Sequence, residues 1–210
     1  MARLLPVVGL GLVLFALAGC QTGSTLPIVA VPGVASASPI ILDADASASG
    51  YHVAWASDDQ GIQYMRLDRE TMTWSPTRLI EQSSAHCVAI ASEGNTIHLF
   101  WSDNLVHYHR SLDGGRSWQD LSKYMATEAQ SIEHLAALAV SDEVHLLYGN
   151  QTTLFYRLAA ASGITWDAPS TLASSQSHGL GKAALEVDTW GDVHVVWPEY
   201  ELDSGNGVLY

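Results

Sequence analysis

Apolar and polar residues alternate in short runs along most of the chain, and the runs recur. A segment that carries a histidine and ends in an aromatic reads HVAW (His52 to Trp55), HLFW (His98 to Trp101), HLLY (His145 to Tyr148) and HVVW (His194 to Trp197), at steps of 46, 47 and 49 residues. An apolar segment precedes each: PIILDA from Pro39, CVAIAS from Cys87, LAALAV from Leu135 and AALEVD from Ala183. A second alternating run follows, IQYMR from Ile62, VHYHR from Val106 and LFYR from Leu154, leading to a turn closed by Trp74, Trp118 or Trp166 and then to one more short strand, as in SPTRLI and DAPSTLA. Alternation with a period of two is the mark of a strand with one face buried. Four such strands in units of about 40–50 residues predict an all-β fold, with each unit one blade of a β-propeller.

The turn before Trp118 reads SLDGGRSW, Ser111 to Trp118. Ser111 and Asp113 are suited to bonding turn amides, Gly115 to a positive φ, and Trp118 to packing its ring on the blade. The string fits the Asp-box pattern of the bacterial neuraminidase repeat, and its surroundings, YHRSLDGGRSWQD, resemble the sialidase superfamily. RLDRETMTW keeps Asp68 and Trp74 of that pattern, and AAASGITW keeps Gly163 and Trp166. The resemblance covers roughly residues 40–210 and implies a sialidase-like propeller of six blades, with the boxes on the face opposite the binding site and Asp113 therefore structural. About three and a half blades are present, because Val208-Leu209-Tyr210 aligns with Val106-His107-Tyr108 in a third strand. Either the chain is the amino-terminal part of a longer protein, or it closes by self-association.

The amino terminus changes the picture of where such a domain works. Arg3, the apolar stretch Leu4 to Ala16 and Leu17-Ala18-Gly19-Cys20 resemble a bacterial lipoprotein leader, with residues 1–19 removed and Cys20 acylated. Residues 20–38 carry no charge and read as the lipidated cysteine and a flexible tether to a propeller over 39–210. The expected place is the bacterial cell envelope, outside the cytoplasm, with the membrane met through the lipid only. Cys87 is then the one remaining thiol, so no internal disulfide is expected. A net charge of −13 argues against nucleic acid as a partner. No Asp-x-Asp-x-Asp-Gly loop is present, and neither a metal nor another cofactor is expected.

By the resemblance, the binding face is built from the turns between second and third strands and from the entries to each blade. The former hold Asp58, Asp59, Asp103, Glu199 and Tyr200; the latter hold His86, His134 and His178, one before each inner strand. Three histidines at one position of successive blades would line a common mouth as ligands for a metal, an anion or a sugar; the alternative is that they are solvent-facing turn residues. Tyr200 and Trp190 are the aromatics to consider as sugar platforms. The strand histidines His52, His98, His145 and His194 recur in every unit and read as scaffold.

Sialidases hold the substrate carboxylate with three arginines and use a tyrosine, a glutamate and an acid/base aspartate. The stretch matching the Arg-Ile-Pro motif of the first blade is Ser38-Pro39-Ile40, without arginine, whereas Asp58 and Asp59 match the acid/base position. The resulting expectation leans away from an enzyme, towards a lipid-anchored propeller that binds glycan or envelope protein. A glycoside hydrolase completed by residues beyond Tyr210, and an assembly factor for an envelope complex, are the alternatives.

Overall fold

The computed structural model describes residues 41–125, 131–160, 163–201 and 207–209. The leader, Cys20 and the tether lie outside them. Blade one consists of β1 (Ile41–Ser47), β2 (Gly50–Ser57), β3 (Gly61–Leu67) and β4 (Arg78–Glu81). Blade two holds β5 (Cys87–Glu93), β6 (Thr96–Ser102), β7 (Val106–Ser111) and β8 (Gln119–Asp120), and blade three β9 (His134–Val140), β10 (Glu143–Gly149), β11 (Thr153–Ala160) and β12 (Ser170–Ser174). Each is a four-stranded antiparallel meander with strands in sequence order. The innermost strands β1, β5 and β9 lie side by side.

Blade four departs from this plan. Its inner strand is split into β13 (His178–Leu180) and β14 (Ala184–Val187), and its second strand into β15 (Val193–Val196) and β16 (Pro198–Glu201), with β17 (Gly207–Leu209) added on β16. β14 lies beside β9, continuing the inner ring.

Most of the core lies between blades, and a smaller cluster of Val53, Trp55 and Met65 belongs to blade one alone. Alternation sends His52, Ala54 and Ala56 of β2 to the side facing blade two, where Ile62 and Tyr64 meet Val88, Ile90, Leu99 and Trp101. The opposite face of β6, with Phe100, meets Val144, Leu146 and Tyr148 of β10. Leu147 and Leu154 of blade three in turn cover Leu180 and Ala183.

Polar contacts link the blades at the period of the repeat. Asp43 accepts the Ile90 amide at 2.9 Å, Asp45 accepts the Ser92 amide and hydroxyl, and Glu93 accepts the Ser141 and Asp142 amides at 2.9 and 3.0 Å. Burial pushes both aspartates up in pKa, and the Ile90 amide and Lys182 of blade four pull Asp43 back.

Repetition also explains the strand histidines. His52 Nδ1 and the Tyr64 hydroxyl are 2.7 Å apart, as are His98 and Tyr108, and His145 and Tyr156. Tyr64 and Tyr108 each meet the turn of the following blade. A Cβ on Gly115 would overlap the Tyr64 hydroxyl, and one on Gly163 would overlap that of Tyr108; both glycines have positive φ, 84° and 58°. Trp118 meets the Tyr64 ring edge-on at 4.9 Å, and Trp166 meets Tyr108 at 5.8 Å. The two residues kept in the worn turn of blade three are thus the two that touch blade two. His194 differs: it is exposed and bonds Asp188 at 2.9 Å, while Tyr210, aligned with Tyr108, is outside the described residues.

Candidate functional site

Antiparallel meanders put the β2–β3, β6–β7 and β10–β11 turns and the entries to the inner strands at one end of the blades, here the loop end. The Ser111–Trp118 turn and the hairpins between first and second strands lie at the other, the turn end. In the Ser111–Trp118 turn, Asp113 Oδ1 accepts the Ser111 hydroxyl at 2.8 Å and the Ser117 amide at 2.8 Å, and Oδ2 accepts the Ser117 hydroxyl at 2.6 Å. These donors, led by the Ser117 hydroxyl, hold the Asp113 carboxyl down at about 2. Ser111 Oγ accepts the Gly115 amide at 2.9 Å. The turn is a closed hydrogen-bonded unit.

At the loop end the turns differ from blade to blade. Asp58 and Asp59 are exposed in the tight turn closed by the Gln60 amide on Ser57. Asp103 bonds His107 at 2.9 Å, and the His107 ring stacks on Trp101 with centroids 5.3 Å apart. Partial burial works against the Asp103 charge, but its hydrogen bond with His107 leaves the carboxyl below its usual pKa. Asn150 folds the next turn by accepting the Thr152 and Thr153 amides.

The three entry histidines do not share a position. His98 pairs with Ala91 and His145 with Leu138, so four residues on, Ser102 pairs with Cys87 and Gly149 with His134. His134 is therefore the counterpart of Cys87, and His86 sits one residue earlier, on the opposite side of its strand. His178 pairs with Glu201, three residues beyond the Pro198 level that matches Gly149. At about 3.3 Å per residue this sets it roughly 10 Å further out. His134 Nε2 bonds Leu180 O at 2.8 Å, just as Cys87 Sγ points to Ile132 O at 3.8 Å; both tie a blade to the next. Among the described residues no three His, Cys, Asp or Glu side chains converge as a metal site.

Glu199 and Tyr200, expected in a loop, lie on β16. Together β13, β16 and β17 form a ribbon that carries blade four past the loop ends of its neighbours, and Leu180 of β13 donates its amide to Gln151 O in the blade-three turn. The half-buried Tyr200 ring lies against Gly179, where a Cβ would overlap it. Glu199 Oε1 accepts the Trp197 indole N–H at 3.4 Å. Adjacent strand positions place Glu199 and Tyr200 on opposite faces. Trp190 is 86% exposed, but it belongs to the turn between β14 and β15, at the turn end. Sequence reasoning missed the ribbon, although its signal was present: 16 residues separate His178 from His194, against 11 and 12 in the two blades before.

The described arginines lie elsewhere. Arg66, Arg110 and Arg157 are on third strands, Arg69 and Arg116 in the turns that follow, and Arg78 on β4. The loop end offers carboxylates, imidazoles, a phenol, the Lys182 ammonium at the entry to β14 and backbone groups, a set suited to the alternating donors and acceptors of sugar hydroxyls.

No family model matches the chain, and no curated protein matches it. Solved structures do. A point mutant of the NanB sialidase from Streptococcus pneumoniae superposes with a TM-score of 0.51 at 15% identity, over 79% of this chain and 28% of that one. The intramolecular trans-sialidase from Ruminococcus gnavus gives 0.52 at 12% identity, over 72% and 36%. The SapL1 lectin in complex with alpha methyl fucoside gives 0.52 at 15% identity, over 82% and 62%. The chain spans between about a quarter and two thirds of the length of these proteins. Together with the four-stranded meanders, these likenesses establish that the chain has the sialidase-like β-propeller fold.

Proposed function

We propose that this chain is a non-hydrolytic, glycan-binding propeller held in a bacterial envelope, outside the cytoplasm, by lipid on Cys20. The observation that carries the reading is the loop end itself. Its hydrogen-bonding side chains vary from blade to blade around the ribbon of β13, β16 and β17, while the described guanidinium groups all sit on third strands, the turns after them, or β4. A sialidase-type centre needs permanently charged, bidentate donors for the substrate carboxylate. A binding face for neutral sugar hydroxyls does not. The fucoside-bound lectin and the sialidases among the structural neighbours support a glycan ligand on this type of propeller.

The test is a panel of immobilised glycans probed with the full chain, followed by analysis of the glycans for cleavage. The reading expects reversible retention of at least one glycan, loss of retention in a Tyr200→Phe, Asp103→Ala double variant, and no released sugar. Released sugar that disappears in Asp59→Ala would replace binding with hydrolysis. Retention that ignores the loop-end substitutions would move the ligand elsewhere.

A further inference from the structure

The geometry points to a second binding site, for a carboxylate-bearing sugar, in a groove between blades one and two away from the loop end. The groove is a cavity of about 310 Å³ lined by Tyr64, Arg66 and Arg78 of blade one and by Gly114, Gly115 and Arg116 of blade two, with Ser75, Pro76 and Thr77 along its floor. Three of the nine lysines and arginines of a chain with net charge −13 thus line one hollow. Like charges gathered in an otherwise acidic protein are unfavourable unless something negative completes them.

The nearby carboxylates answer only part of that charge. Asp113 is saturated by Ser111 and Ser117. Asp68 accepts the Glu70 and Thr71 amides and the Thr71 hydroxyl, and its ion pair with Arg66 is a long one, at 3.9 Å. Arg66, only 18% exposed in its side chain, donates one N–H to Gly114 O at 3.2 Å. A guanidinium has five N–H donors, so Arg66 keeps hydrogen-bonding capacity beyond its bond to Gly114. Arg116 is anchored by one N–H to Asp113 O at 3.1 Å, and Arg78 is exposed above Tyr64, its cross-strand partner. Planar guanidinium forks match the two oxygens of a carboxylate, and those of Arg66 and Arg116 are each anchored by one bond.

A smaller hollow of about 170 Å³ adjoins the groove and shares Arg66 and Ser75 with it. Trp74, Thr71, Thr73 and Asp68 form its remaining walls. An aromatic side chain beside hydroxyls and a carboxylate is a lining suited to a pyranose ring, next to the guanidinium groups for its acid group. The site stands apart from the loop-end reading and survives if that reading fails.

The experiment is calorimetric titration of the full chain, in uncharged detergent, with glucuronate, glucose and sodium sulfate. Glucuronate is expected to bind at low salt. An Arg78→Ala, Arg116→Ala double variant, which removes two exposed side chains, should weaken it about tenfold or more. Arg69→Ala removes one positive charge outside the groove and should leave binding unchanged, and each of Arg78→Ala and Arg116→Ala alone, matched to it in charge, should weaken binding; Arg69 lies over the Tyr51 ring at 5.0 Å. Arg78→Lys with Arg116→Lys keeps the charge, loses the fork, and should also weaken binding. Equal loss in Arg69→Ala, or no loss in the double variant, would overturn the site. Sulfate binding as well as glucuronate, or glucose matching it, would overturn the assignment to an acidic sugar.

Discussion

The two ends of these blades are built by opposite rules. At the turn end one arrangement recurs: a histidine on the second strand, a tyrosine on the third, and a glycine and tryptophan from the next blade's turn closing over the tyrosine. At the loop end no two blades agree. Ser-Asp-Asp-Gln, Ser-Asp-Asn and Asn-Gln-Thr occupy successive turns, and the fourth blade replaces its turn by a ribbon. What every blade repeats holds the propeller together, and what each blade varies is free to recognise something.

The sharpest way to break this contrast is at the glycines. Gly163→Ala and Gly115→Ala each drive a methyl into a buried tyrosine and strain a positive φ. Each is expected to cost about 3 kcal/mol of stability in urea denaturation, since overpacking and left-handed backbone add.

Acid tests the same lock through its histidines. Burial, with help from Arg66, holds His52 down at about 4, and burial with Arg110 holds His98 down at about 3. Both stay neutral in the fold, while the unfolded chain takes up protons below about 6.5. Stability is therefore full above that pH and is lost as the pH falls towards the folded values. Each histidine is expected to remove about 2 kcal/mol by pH 5, read from denaturation curves at pH 7 and pH 5.

Tyr108→Phe leaves His98 Nδ1 buried without its 2.7 Å partner, beside an Nε2 that has none in the protein. The expected loss is about 1–2 kcal/mol at pH 7. Asp113→Asn is smaller still. Its carboxylate lies near the surface, so solvent screening keeps the loss below about 1 kcal/mol. That contribution is present above the unfolded pKa near 3.8 and fades as the pH falls to about 2.

Loop-end changes complete the series. Asp59→Ala and Asp103→Ala are expected to move stability by no more than about 0.5 kcal/mol, as surface substitutions do. Their effect belongs to ligand binding. A loop-end substitution that unfolded the chain, or a turn-end substitution that left it unmoved, would dissolve the distinction between the two ends.

The same contrast explains what the chain revealed as a sequence. Period-two alternation and the recurring histidine, aromatic and tryptophan made the strands and blades legible because every blade needs the same packing. His86, His134 and His178 looked equivalent because each stands just before an inner strand. Backbone pairing alone shows that they sit at three different levels, and a one-residue slip is enough to reverse a side chain's direction. The pairing of Tyr64 with Gly115 and of Tyr108 with Gly163 was equally hidden, since its partners are 51 and 55 residues apart and only the stacking of blades brings them together. The groove of Arg66, Arg78 and Arg116 was invisible for the same reason.

The most direct measurement compares retention of one panel glycan by the wild-type chain with retention by an Asp59→Ala, Asp103→Ala, Tyr200→Phe triple variant of matched stability, while released sugar is followed by NMR. The account expects binding by the wild type, none by the variant, and an intact glycan throughout. Equal retention by both chains, or accumulation of free sugar in the wild-type sample, would contradict it.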